Sequence, residues 1–216
     1  MTVEPMTVSD YPARLAVDYP EQHDRVSTLF RVFAVVPIAI VLSALTAGAS
    51  QTTYNQAGEA VRTSSGGISA GLFAATLMMI VVRQRYPRWW FDFAQQLARF
   101  STRVCAYLAL LTDQYPSTVE EQSVHLELDY PDAERDLNRW LPLVKWLLVI
   151  PHILVLIVLV VGAVFAVIAA WFAILFTGRY PRALFDYVVG VGRWGLRVQA
   201  YAHLLITDRY PPFSLH

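Results

Sequence analysis

The run "WLLVIPHILVLIVLVVGAVFAVIAAWFAILF", residues 146–176, belongs to a stretch from Trp146 to Gly178 that carries no Asp, Glu, Lys or Arg. A hydrocarbon bilayer core is about 30 Å thick and is crossed by about 20 apolar residues, so such a run reads as membrane material rather than as the core of a soluble domain. Two further uncharged runs, Val32–Gly58 and Thr63–Val82, have the same character. Composition agrees: 56% of the 216 residues are hydrophobic and only 16% charged, against about 25% charged for a soluble average. The formal net charge is zero, which leaves no global basic bias for nucleic acid. Cys105 is the only cysteine, so no internal disulfide forms. The first thirty residues lack the basic and apolar regions of a secretory leader, and no cleaved signal peptide is expected.

The second organising feature is an internal repeat. "LAVDYP" (Leu15–Pro20) recurs as "LELDYP" (Leu126–Pro131), and Arg25, Arg31 and Pro37 match Arg139, Lys145 and Pro151. "RYPR" occurs at Arg85–Arg88 and at Arg179–Arg182; Thr112, Asp113, Tyr115 and Pro116 match Thr207, Asp208, Tyr210 and Pro211. Seven of the eleven tyrosines stand immediately before a proline. Proline disfavours the helical region for its predecessor, so each Tyr-Pro marks an element boundary. Asp18, Tyr19, Pro20, Asp129, Tyr130, Pro131, Asp113, Tyr115, Asp208 and Tyr210 form the repeated structural motif.

These patterns predict an all-α membrane protein with four transmembrane helices in two tandem repeats, each followed by an amphipathic interfacial helix, with a small cytoplasmic β layer. The first repeat covers 1–116: a strand near Leu15–Tyr19, spans at about 32–49 and 68–82 joined by a polar loop Gln51–Gly67, and a helix at about 87–111. The second covers 117–216: a strand near Leu126–Tyr130, spans at about 143–161 and 163–178 turning near Gly162, and a helix at about 181–206. A single tilted helix over Trp146–Gly178 is the alternative, about 50 Å long at 1.5 Å per residue. Charge placement selects four spans: they put sixteen of the seventeen Lys and Arg on one face, whereas a single crossing in the second repeat splits them eleven to six, against the positive-inside rule. The expected location is a cell membrane, multi-pass, with both termini cytoplasmic; the resemblance given below makes it a bacterial plasma membrane. The two strands are expected to meet within the chain, testable by a disulfide between Val17→Cys and Leu128→Cys.

Arg88, Arg99 and Arg103 fall on one narrow stripe of the first long helix, and Arg182, Arg193 and Arg197 on that of the second. Such stripes reach either lipid phosphates and partners or internal carboxylates. Gly190, Gly192 and Gly195 spell G-x-G-x-x-G, yet they lie inside a helix, and the other copy has Gln96, Ala98 and Ser101 there. A dinucleotide fingerprint needs a strand before it and an acidic residue about 20 positions on; close helix packing is the better reading. The five histidines show no metal-ligand spacing. His152, inside the apolar run, is read as structural rather than catalytic. No cofactor, metal or nucleophile–base set is expected.

"LELDYP" together with "LFTGRYPRALFDYVVGVGRWGLRVQAYAHLLITDRYPPF" resembles the signature of a bacterial polytopic membrane-protein family known only as domain of unknown function 4389. The resemblance extends over nearly the whole chain, in two tandem copies, the second closer. The first copy departs from it at "VVRQRYP" and in the missing glycines. The resemblance implies a bacterial membrane protein and no reaction. The expected function is a non-enzymatic integral membrane scaffold or accessory subunit, presenting an arginine-rich cytoplasmic platform to anionic lipid or to a partner protein in a membrane complex; homo-oligomerisation stays open. The alternative is a lipid-handling or transport protein with substrate between the two pseudo-symmetric halves.

Overall fold

In a computed structural model, the described residues are 11–46, 50–54, 60–64, 67–118 and 120–216. Their elements run β1 (Ala13–Val17), α1 (Arg25–Thr46), β2 (Ser50–Tyr54), β3 (Ala60–Ser64), α2 (Ile68–Met78) continuing into a π-helical turn (Met79–Arg83), α3 (Arg88–Leu108), β4 (Val124–Leu128), α4 (Pro142–Leu148), α5 (Ile150–Thr177) and α6 (Arg182–Ala202).

Strands β1 and β4 pair antiparallel, with Leu15 opposite Leu126 at the centre and Arg14 opposite Glu127. Alternation decides their orientation. Val124, Leu126 and Leu128 point into the core, while His125 and Glu127 face outward. The strands therefore meet within the chain, but the register sets Val17 opposite Val124, and Leu128 lies across from Ala13 at the other end. A Val17–Leu128 disulfide does not fit it. A two-stranded ribbon is marginal alone; this one is stabilised by lying on α6 and α3. Leu126 and Leu128 join Ala94, Ala98, Leu196 and Ala200 in one core cluster.

Helix α6 is held on two sides. Towards the sheet, Gly192 faces Leu15. Towards α5, contacts run antiparallel along the length of both helices: the Trp194 indole donates to His152 Nδ1 (3.1 Å), and the Tyr187 hydroxyl donates to the Leu159 carbonyl (2.9 Å). The α5 side chains that turn inward are His152, Leu156, Leu159, Ala163, Ala166, Ala170 and Ile174. Their spacing of three and four residues traces one stripe along the helix. Val167 and Trp171 beside it are half-buried, and the opposite face of α5 is exposed and apolar.

The expectation of four transmembrane helices in two repeats is overturned. Only α5 is long and apolar enough among the described residues to cross a membrane by length and composition; α1 adds a second candidate only if its halves, Arg25–Arg31 and Phe33–Thr46, bent by 51°, are taken together. Gly162 does not turn the chain. A lone helical glycine costs only about 1 kcal/mol relative to Ala, and a continuous helix satisfies every backbone group in apolar surroundings. What Gly162 provides is room: a Cβ there would stand 2.6 Å from the Tyr187 hydroxyl. In the N-terminal half, α2 and its π turn together make a shorter apolar helix, Ile68–Arg83. The polar segment after α1, expected as a loop, carries the antiparallel β2–β3 hairpin; residues 55–59 and 65–66 of it lie outside the described residues. Nor are α3 and α6 free interfacial helices. They pack beneath the ribbon, and α6 is buried on both faces, from Phe185 and Val188 to Trp194 and Tyr201.

Candidate functional site

Two buried cations organise the polar layer. Arg31, inside α1, donates through Nη1 to the carbonyls of Tyr107 (3.2 Å) and Thr112 (2.8 Å), and through Nη2 to the Asp113 carboxylate. Its guanidinium lies 4.5 Å from the Tyr107 ring centre. Asp113 also accepts from the Asp24 N–H (3.0 Å) and meets His23 Nδ1 at 3.1 Å. Partial burial opposes ionisation of Asp113, but the His23 bond, the Asp24 N–H and the Arg31 charge outweigh it and hold the carboxyl at about 2. Lys145, inside α4, repeats the arrangement: Nζ donates to the Thr207 carbonyl (2.7 Å), pairs with Asp208 at 2.7 Å, and lies 4.8 Å from the Tyr201 ring centre. Asp208 accepts from the Asn138 N–H (2.5 Å). Burial lowers the Lys145 pKa, opposed by Asp208. Each cation thus ties its helix, α1 or α4, to the loop that ends α3 or α6.

The Tyr-Pro pairs are the second device, and they cross between the halves. The Tyr19 hydroxyl donates to the Tyr180 carbonyl (2.6 Å), and the Tyr130 hydroxyl to that of Tyr86 (2.5 Å). The accepting carbonyl belongs in each case to a tyrosine followed by proline, whose break leaves it outside the next helix. Arg182 lies over the Tyr19 ring at 4.4 Å and Arg88 over Tyr130 at 4.9 Å. Tyr210 donates to the Leu148 carbonyl (3.1 Å), while Tyr115 packs edge-on against Tyr107. Asp18 meets His125 at 3.1 Å, and Asp129 takes both Nη groups of Arg14, at 3.1 and 2.6 Å.

The arginine stripes divide into three pairs. Arg193 Nε donates to the Leu15 carbonyl (2.9 Å) and Arg99 Nη2 to that of Leu126 (3.2 Å). These are the two central residues of the ribbon, so one arginine covers each of its open edges, where unpaired backbone groups would otherwise invite another strand. Arg103 Nη1 donates to the Ser117 carbonyl (2.5 Å), and Arg197 Nη2 to those of Ser214 and His216 (both 2.8 Å). Arg88 and Arg182 remain exposed, each 3.9 Å from the aspartate four residues on, Asp92 and Asp186. Sequence reasoning paired Arg31 with Lys145 in the repeat but gave neither a role. The signal was present: a cation immediately before a long uncharged run, matched by another at the equivalent place.

His152 is buried, accepts from Trp194, and stacks on Phe213 with ring centres 3.9 Å apart. Among the described residues no cluster of three or more His, Cys, Asp or Glu is placed to hold a metal ion. An apolar cavity of about 330 Å³ opens between α1, the end of α3 and α5, lined by Thr28, Arg31, Leu108, Leu110, Trp171 and Phe172 among others. A second, of about 630 Å³, lies between the Tyr86–Pro87 break and the Tyr130–Pro131 loop.

This geometry defines a small helix-and-ribbon protein with a charged upper surface and an open apolar underside. Residues 140–214 match the model of the family described as Domain of unknown function (DUF4389). The match is confined to the second half, narrower than the near-complete coverage expected. No curated protein and no solved structure matches the chain.

Proposed function

We propose that the protein is a non-enzymatic membrane scaffold or accessory subunit of a bacterial plasma membrane, with its polar layer on the cytoplasmic face. One observation carries this reading. Only 11% of the most apolar stretch of α5 is buried inside the chain. An apolar helix in a soluble core would be mostly covered, and soluble monomers rarely expose contiguous apolar patches of this kind. Lipid is the medium that accepts such a surface. The upper surface supports the platform role: among the described residues no carboxylate lies within ion-pair distance of the exposed Arg83, Arg85 or Arg179, and each basic group beside an anionic leaflet adds about 1 kcal/mol. The matching contacts of Arg31 and Lys145, and of Tyr19 and Tyr130, support the further proposal that the N-terminal half carries a diverged copy of the unit matched at 140–214.

The 330 Å³ cavity favours a second reading, lipid handling, because its lining comes from both halves: Thr28, Arg31, Leu108 and Leu110 from one, Trp171 and Phe172 from the other. Purification from native membranes in mild detergent separates the two. A stoichiometric protein, or a second copy of this chain, supports the scaffold; stoichiometric lipid that is lost on Leu110→Trp supports lipid handling. Recovery of the chain alone, free of both, sinks the platform.

A further inference from the structure

Both ends of α5 are bound to the same polar layer. At its start, Lys145 is fixed to Asp208 and Thr207, and the Leu148 carbonyl accepts from Tyr210. At its end, the Gly178 carbonyl accepts the His23 N–H (2.9 Å) and the Tyr180 carbonyl the Tyr19 hydroxyl. Between these points α6 runs alongside, and β1 lies on the other side of α6 through the Arg193–Leu15 bond. The helix therefore does not project from the polar layer but underlies it from end to end. A helix standing along the membrane normal would carry α6 and the ribbon to the same depth. Arg14, Glu127, Asp129, Asp18 and His125, exposed on the outer face of the ribbon, would then stand beside hydrocarbon, where charged groups are strongly disfavoured.

We propose that α5 does not cross the bilayer: it lies in the plane of one leaflet, its outer face sunk among the acyl chains, and anchors the polar layer flat against the membrane surface. The proposal rests on the membrane reading above and assigns its geometry. The outer face fits that occupant. Leu154, Val158, Val161, Phe165, Phe172 and Phe176 are all exposed, no charged residue interrupts the helix, and the surface continues onto the exposed Phe30 and Phe33 of α1. An in-plane helix also resolves the charge conflict posed by a single crossing. Arg139 and Lys145 before α5, and Arg179 and Arg182 after it, stay on one side of the membrane, as basic residues do when they face the cytoplasm. Helices of this kind sink by about 5–10 Å below the headgroups, and here the polar face is supplied by α6 and the ribbon rather than by α5 itself.

The test uses the full chain with Cys105→Ser as background. Glu134→Cys and Arg179→Cys, one on each side of α5, are treated with a membrane-impermeant maleimide in intact spheroplasts and after lysis. Nitroxides at Leu154→Cys, Val161→Cys and Phe172→Cys then report depth in phospholipid vesicles, through relaxation by oxygen and by a water-soluble nickel chelate. In-plane insertion requires that both flanking cysteines be protected until lysis and that the three nitroxides lie at similar depth. Labelling of the two flanking cysteines from opposite sides overturns the proposal, as does a depth profile with its maximum at Val161 falling off towards both ends. Nickel-dominated relaxation at all three positions, with no oxygen preference, refutes the membrane reading itself and is distinguishable from either.

Discussion

Replacing Asp113 by Asn tests whether the two buried cation anchors hold the layers together. The carboxyl sits at about 2 against an ordinary value of 3.8, a difference worth about 2 kcal/mol at 1.36 kcal/mol per pH unit. Because the folded value is depressed, the stabilisation is fully present above pH 3.8 and fades as pH falls towards 2. The substitution removes it and also leaves Arg31, 1% exposed, without its counter-charge. Removal of one partner from a buried pair costs about 3–5 kcal/mol; the carbonyls of Tyr107 and Thr112 keep their bonds to Arg31, so a loss of about 2–4 kcal/mol is expected. Guanidinium unfolding in mild detergent, followed by tryptophan fluorescence between pH 2 and 7, reads both effects. The unaltered chain should lose about 2 kcal/mol between pH 5 and 2; Asp113→Asn should start lower and lack that part of the slope. Adding Arg31→Met to Asp113→Asn should restore part of the loss, since no uncompensated charge remains. An identical acid slope in both proteins, or a double variant with strictly additive losses, refutes the anchor.

Gly190→Ala should lower the unfolding midpoint, because its Cβ would stand 2.8 Å from the Leu215 backbone carbonyl, whereas Gly195→Ala, with nothing within 4 Å, should leave it unchanged or raise stability by up to about 1 kcal/mol; thermal scans that move both alike would remove the packing account of these glycines. Arg99→Gln and Arg193→Gln should each cost about 1.5–3 kcal/mol, the worth of a charged donor on a carbonyl. Arg88→Gln and Arg182→Gln should each cost no more than about 0.5–1 kcal/mol of stability, the worth of an exposed cation–π contact on Tyr130 or Tyr19, and weaken flotation with anionic vesicles by about 1 kcal/mol per charge. The reverse pattern would exchange the two roles.

How much of this was legible depended on whether a feature is local. Tyr-Pro boundaries act on their own backbone, and they fall where expected: Pro87 and Pro181 directly precede α3 and α6. Hydrophobic alternation placed β1 and β4 to within two residues, and the likeness of LAVDYP to LELDYP paired them. The arginine stripes were visible, but the Leu15 and Leu126 carbonyls they reach are not, because an open strand edge exists only once the ribbon has formed. The span count failed for a different reason. Hydropathy reports that a helix prefers lipid to water; it carries no information on the helix's direction, which is set by what binds its two ends. Charge placement argues against a single crossing only where every long apolar run goes through the bilayer. Lys145 on Asp208 and Tyr19 on the Tyr180 carbonyl draw the two ends of α5 to one polar layer. With both ends on that layer the basic residues need not be divided at all, so the charge asymmetry that argued for a second crossing within residues 146–178 is equally the signature of a chain that never leaves its first leaflet there.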